Sequence, residues 1–151
     1  MLEDFIQVNQ VKAEIMIFEK PVMNKKQVEK VKTLMNLDMP VVKSILFMVD
    51  KQPILVVLLD DDMVSRKKLK DILKAKEVLM ADAAEVEDIT GYEVGAVPPI
   101  SIYGVHTILD KKVLEQKTVL AGGGTTHALM KIDVPELERV IEDLKVEDIT
   151  E

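Results

Sequence analysis

The 151-residue chain has the length of one ordinary domain, and its 48% hydrophobic and 31% charged residues exclude a disordered chain. It has no Cys, which rules out disulfides, thiol nucleophiles and thiolate metal sites; with 3% aromatics and nine Met, its core must be aliphatic. A net charge of −7, with Arg66 and Arg139 the only arginines, argues against broad phosphate binding, although gripping the end of an RNA strand needs few such contacts.

The opening MLEDFIQVNQ has neither a basic leader nor a long apolar run, and no signal peptide is expected. A first strand is expected over residues 14–18, closed by Pro21. Asn24 reads as an N-cap, and Val28, Val31, Leu34 and Met35 recur at helical spacing behind it. Two apolar, β-branched runs, 42–49 and 54–59, flank a turn at 50–53 and predict a hairpin of buried strands. Asp50, Lys51 and Pro53 interrupt what would otherwise be the longest apolar stretch, so no membrane span is expected and the reading is of a cytoplasmic protein. Ser65 caps a helix with Leu69, Ile72 and Leu73 inward and Arg66, Lys67, Lys68 and Lys70 outward. A short strand at 78–80, a helix at 83–89 and a loop at 90–101 follow. Strands at 104–109, 118–120 and 129–133 precede a last helix over 135–144 and an acidic tail, 147–151, expected to fray. The pattern is a single α+β domain over residues 1–151.

Most standard chemistries find no support. Gly122, Gly123 and Gly124 are not followed by the Lys-Ser/Thr of a phosphate loop. His106 and His127 lack metal-ligand spacing, and no Ser lies in a Gly-x-Ser-x-Gly elbow. Asp60, Asp61 and Asp62 form either a Mg²⁺ ligand set or, more simply, a solvated turn. No metal or cofactor is expected. Two features remain. Lys43 opens an apolar strand, either as an edge charge that snorkels to water or as a fixed cation in a dry pocket. Gly95, Ala96, Val97, Pro98 and Pro99 form either a rigid turn or a loop presenting backbone N–H groups at a fixed place.

Together these features resemble the YbaK/prolyl-tRNA synthetase editing-domain family. Val42-Lys43-Ser44-Ile45-Leu46-Phe47 is similar to its Lys-bearing strand, and Thr90-Gly91-Tyr92-Glu93-Val94-Gly95-Ala96-Val97-Pro98-Pro99 to its Thr-Gly-Tyr-x-x-Gly-x-x-x-Pro loop. Asp61, Val64 and Lys67-Lys68-Leu69 resemble a further segment. Asp110 fits an acidic residue ending a later strand, and Ala121 to Gly124 a small-residue turn closing the pocket. Two positions depart from the pattern: Asp60 stands where Gly is expected, and Ser65 where an acidic residue is common.

The resemblance implies a mixed β-sheet, curled toward a barrel and flanked by helices. It implies a free-standing aminoacyl-tRNA deacylase that hydrolyses the ester of a mischarged tRNA such as cysteinyl- or alanyl-tRNA(Pro), with tRNA and an aminoacyl-tRNA synthetase as partners. In it, Lys43 is the pocket cation, and the 95–99 loop positions carbonyl and water while the substrate assists its own hydrolysis. Ser44, Asp110, Gly122, Gly123, Gly124 and His127 complete the implied binding set. The alternatives are a module that holds an aminoacyl-tRNA end or amino acid without hydrolysis, and an acidic interaction domain. The basic helix face from Arg66 to Lys70, with Lys111 and Lys112, is an expected tRNA contact or a solvated face.

Overall fold

A computed structural model describes residues 1–151. Five α-helices and eight strands alternate: α1 Leu2–Val8, β1 Ala13–Ile17, α2 Lys25–Met35, β2 Val42–Val49, β3 Gln52–Leu59, α3 Arg66–Leu73, β4 Val78–Met80, α4 Ala83–Thr90, β5 His106–Asp110, β6 Thr118–Gly122, β7 Ala128–Asp133, α5 Val134–Val140 and β8 Lys145–Glu147. A 3-10 helix, Lys111–Glu115, follows β5. The mixed α+β, single-domain expectation holds. The curled sheet is realised as two sheets, one antiparallel in order β1-β7-β6 and one mixed in order β4-β2-β3-β5-β8. They meet at one parallel bridge, Val41 to Leu120.

The central hairpin is apolar because both its faces are covered. Leu55, Val56, Val57 and Leu58 are all fully buried. Successive side chains on a strand point to opposite faces, so Leu55 and Val57 join the core between the sheets while Val56 and Leu58 pack under α3 with Leu69. Asp50 and Lys51, at φ 47° and 69°, make the two-residue turn, with both φ values positive as a primed hairpin turn demands. The Asp50 carboxylate accepts backbone N–H groups from Lys76 and Glu77 at 3.1 and 2.8 Å, which anchors the turn to the start of the next strand. Pro53 therefore lies inside β3, opposite Met48, before the β5 pairing begins at Ile54. It needs no N–H on that outer edge.

Helix starts follow the capping residues. Asn24 and Gln27 form a reciprocal capping box on α2, the Ser65 side chain accepts the Lys68 N–H on α3, and Asp82 with Glu85 repeats the box on α4. Three expectations are corrected. Helix α1 exists where none was expected. The last helix stops at Val140, and the acidic tail is packed: β8 runs parallel to β5, Ile149 is fully buried and Thr150 bridges Val64. Its anchor is Asp110, whose Oδ1 accepts the Ile149 N–H at 3.1 Å.

Candidate active site

The second edge of β2, opposite β3, is paired to β6 only at Val41 and to β4 only from Phe47 onward. Between these points no strand is in register, and a cavity of about 110 Å³ opens there. Its walls come from four places: the entry to α2 (Val22 to Lys25, and Val28), the start of β2 (Val41 to Ser44) with Asp60, the loop residues Gly95 and Val97, and Ala121, Gly122 and Leu129 of the smaller sheet. Val22, Val28 and Leu129 pack together as an apolar floor.

The cavity is cationic on one side. Lys43 is partly buried, and its Nζ donates to the Asp60 carbonyl at 3.0 Å, which holds the ammonium at the end of β3. The N-terminus of α2, with its outward N–H groups and positive dipole end, borders the same space. Lys25 on that first turn pairs with Asp61. Their hydrogen bond holds the Asp61 carboxyl below the usual carboxylate range and raises the Lys25 ammonium, although both groups are exposed to solvent. Ser44 contributes a hydroxyl shielded from solvent that has no hydrogen-bond partner in the protein.

The glycine loop is strapped from behind. Thr90 Oγ1 donates to the Val86 carbonyl at 2.7 Å and accepts the Tyr92 N–H at 3.1 Å, and the Tyr92 hydroxyl donates to Ser101 Oγ at 3.0 Å. Burial pushes the Tyr92 phenol above its ordinary pKa, which keeps it a donor. Gly95 follows at φ +86°, in the left-handed region. The Ala96 carbonyl then accepts the Gly124 N–H at 3.0 Å, tying the loop to the glycine turn. A Cβ on Gly122 would stand 2.3 Å from the Val97 carbonyl oxygen, so only glycine lets loop and strand lie this close.

The structure thus brings together Lys43, Ser44, Gly95, Val97 and Gly122 in one cavity. Ala96 and Gly124 support it from behind, and Gly123 lies against the Ala128 backbone. Pro98 is buried, while Pro99 lines a different, larger cavity of about 390 Å³ beside Phe5 and Tyr103. That cavity lacks a lysine and the short glycine approaches, and the smaller one carries the stronger chemical case. His127 stays outside the lining: its Nδ1 meets Thr126 Oγ1 at 3.0 Å and its carbonyl accepts from Phe18. Asp110 stays outside the lining. It is fully buried, and its oxygens accept the N–H groups of Ile149 and Lys112, so it organises the fold. Thr90, Tyr92 and Ser101 were given no role from sequence, because their hydrogen bonds appear only once the loop folds back.

Two of the three aspartates in the run are held in ion pairs, Asp61 with Lys25 and Asp62 with Lys112 at 3.3 Å. No set of His, Asp and Glu side chains is grouped to hold a metal ion. No helix is long and apolar enough to cross a membrane. The basic face of α3 is partly neutralised: Lys68 reaches Asp148 at 3.1 Å and the Thr150 carbonyl at 2.6 Å, and Arg66 lies over the Phe47 ring.

The family model described as "Aminoacyl-tRNA editing domain" matches residues 24–140. Among similar curated proteins, a proline–tRNA ligase of Lactobacillus helveticus is 34% identical over 112 residues, 74% of this chain and 19% of the ligase. One from Caldicellulosiruptor saccharolyticus is 31% identical over 109 residues, 72% of this chain and 19% of the ligase. The match thus spans about a fifth of the length of these curated relatives. Among solved structures, a hypothetical protein superposes with TM-score 0.83 at 25% identity over 99% of both chains. A protein described as a candidate trans-editing enzyme for prolyl tRNA synthetase gives TM-score 0.82 at 20% identity, over 99% of this chain and 94% of that one, a likeness of fold.

Proposed function

The chain belongs to the aminoacyl-tRNA editing domain family, and from that premise we propose that it hydrolyses the ester between a wrongly attached amino acid and the 3′-terminal ribose of a tRNA. The observation that carries this reading is the convergence of Lys43, the positive end of α2 and the Gly95 loop on one small cavity. In this reading no protein side chain acts as nucleophile or general base. In the proposed reaction, water adds to the ester carbonyl carbon and the bond from that carbon to the ribose oxygen breaks. The ribose oxygen takes up a proton, leaving a free amino acid and an uncharged tRNA. Lys43 and the helix N-terminus stabilise negative charge, on the terminal phosphate or on the carbonyl oxygen as it develops. The loop backbone from Gly95 to Val97 holds the carbonyl and water in line, and the substrate's own polar groups assist the attack. An ester is reactive enough for positioning and electrostatics to supply most of the acceleration.

The direct test incubates the protein with a panel of mischarged tRNAs and follows the loss of each ester. Turnover beyond one equivalent supports hydrolysis. Stoichiometric retention of intact ester would make the site a binding module instead. A prolyl-tRNA synthetase is the partner that the matched ligases favour, and its addition to the same assay tests whether it raises the rate.

A further inference from the structure

We infer that the larger cavity, beside Phe5 and Tyr103, is a second binding site, for a small organic amine: an ammonium on an aromatic body that carries no carboxylate. The inference goes beyond the hydrolytic reading and does not rest on it.

At about 390 Å³ the cavity is large enough for a small molecule, since ordinary ligand pockets begin at roughly 300 Å³. The 99–107 loop, α1 and the end of α5 enclose it, and Ile100, Val140 and Ile141 make an apolar wall. Within that wall lies an unsatisfied polar group. Thr107, on β5, is only 3% exposed, and its hydroxyl enters no hydrogen bond within the protein. Ser44 has the one hydroxyl that is both sealed away and unpartnered, so the hydroxyl of Thr107 keeps open surface, and the space it lines is this cavity. Thr107 shares its strand face with Leu109 and its register with Leu55, both in the core between the sheets, so it points inward, away from α3. Hydroxyls this deeply placed are nearly always hydrogen-bonded, and this one is free to donate to a ligand or accept from it.

Charge and rings then fix the class of ligand. No Lys or Arg lines the cavity, and its only basic side chain is His106. Glu142 and Asp143 line it, and neither carboxylate enters an ion pair within the chain. A cation is therefore favoured there, and a ligand carboxylate is repelled. Phe5 and Tyr103 meet edge to face, with ring centroids 6.3 Å apart and planes at 64°, while Tyr103 is 70% exposed. A ring left open beside an apolar cavity offers a surface both for stacking and for an ammonium. An aromatic amine with a polar group at its far end engages the carboxylates, the rings and Thr107 together.

Tyramine is the probe, with an ammonium at one end of its ring and a hydroxyl at the other. Calorimetric titration gives its affinity, and amide chemical shifts locate it. Saturable binding is expected, with a Kd below about 1 mM and shifts at residues 99–107 and 140–143. Two analogues should bind about fivefold more weakly or worse: tyrosine, which adds a carboxylate, and 2-(4-hydroxyphenyl)ethanol, which replaces the ammonium by a neutral hydroxyl. The double variant Glu142→Gln, Asp143→Asn should abolish that preference. Thr107→Val, which keeps the shape and removes the hydroxyl, should weaken tyramine about fivefold. Thermal melts of both variants, whose side chains are exposed or matched in shape, check that the fold is retained. The inference is overturned if tyramine does not saturate the protein, if it binds no better than both analogues, if its shifts fall at Lys43 and Gly95 instead, or if neither variant changes its affinity.

Discussion

Gly122 presents its Cα to the carbonyl of Val97 so closely that a methyl group there would sit 2.3 Å from the oxygen. The obstructing atoms are backbone, which cannot swing aside as a side-chain end does. Gly122→Ala should therefore push the 95–97 loop off β6. It should lower stability by about 1–3 kcal/mol in chemical denaturation and remove deacylation together. Gly104→Ala is the control. Nothing lies within 4 Å of its added methyl group, so only the backbone strain of φ +72° remains, and activity should survive.

Lys43→Ala should reduce single-turnover deacylation by about a hundredfold while costing no more than about 1 kcal/mol of stability, since its one hydrogen bond is to the Asp60 carbonyl. Lys43→Arg keeps the charge but spreads it over a larger planar group, and should recover only part of the rate. An alanine variant as fast as the native chain removes Lys43 from the reaction.

At Gly95 the left-handed backbone matters more than space. An added Cβ meets the tip of Met23 at 3.3 Å, a flexible neighbour that can yield, but φ +86° costs any other residue about 1–3 kcal/mol. Gly95→Ala should tilt the loop and slow hydrolysis by roughly tenfold to a hundredfold, with a cooperative melt retained. Pro99→Ala, in the wall of the other cavity, should do much less. Equal rates for the two variants would make the loop a structural turn only.

These contrasts mark what the residues disclose before folding. The β2–β3 hairpin, the caps at Asn24 and Ser65 and the Lys43 strand are legible, because each rests on a local run or spacing. The packed tail is not. Its Glu147, Asp148 and Glu151 read as solvated, and only the distant Asp110 carboxylate and the edge of β5 make Ile149 a core residue. The bond from Ile149 to Asp110 is hidden for the same reason: an acidic residue at a strand end looks alike whether or not it meets a backbone N–H 39 residues later. Ser44 lies in a legible strand, but its lack of a partner is a property of the folded neighbourhood alone.

Contact with tRNA should run through α2 more than α3. Lys26 and Lys30 are exposed on the helix whose start borders the cavity, whereas Lys68 is committed to Asp148 and Thr150. Charge reversal at Lys26 and Lys30 should weaken tRNA binding and flatten its dependence on salt. Reversal at Lys67, on α3, should change neither. Filter binding across a salt series distinguishes the two.

Acid should destabilise the fold through carboxylates held below their usual range: Asp148 by its hydrogen bond from Lys68, Asp61 by Lys25 and Glu136 by Arg139. In the unfolded chain these groups take up protons near pH ~4, while the folded ones resist. Their contribution is therefore complete above that pH and is lost as pH falls through the depressed values. Lys68→Met should lower the melting temperature slightly at pH 7 and make the acid limb shallower, as thermal melts between pH ~7 and ~2 would register.

The placing of the cavity, where one sheet hands over to the other at a single bridge, also bears on how such a domain diverges. Its selective wall is built largely from Val22, Met23, Val28 and Val97, on a helix entry and a loop, and few ladder hydrogen bonds depend on them. Exchanges among these side chains reshape the niche while the hairpin and both sheets keep their register. Under the hydrolytic reading proposed above, a lineage would thus wander from one amino acid to another by single substitutions, with Lys43 and the glycines left in place.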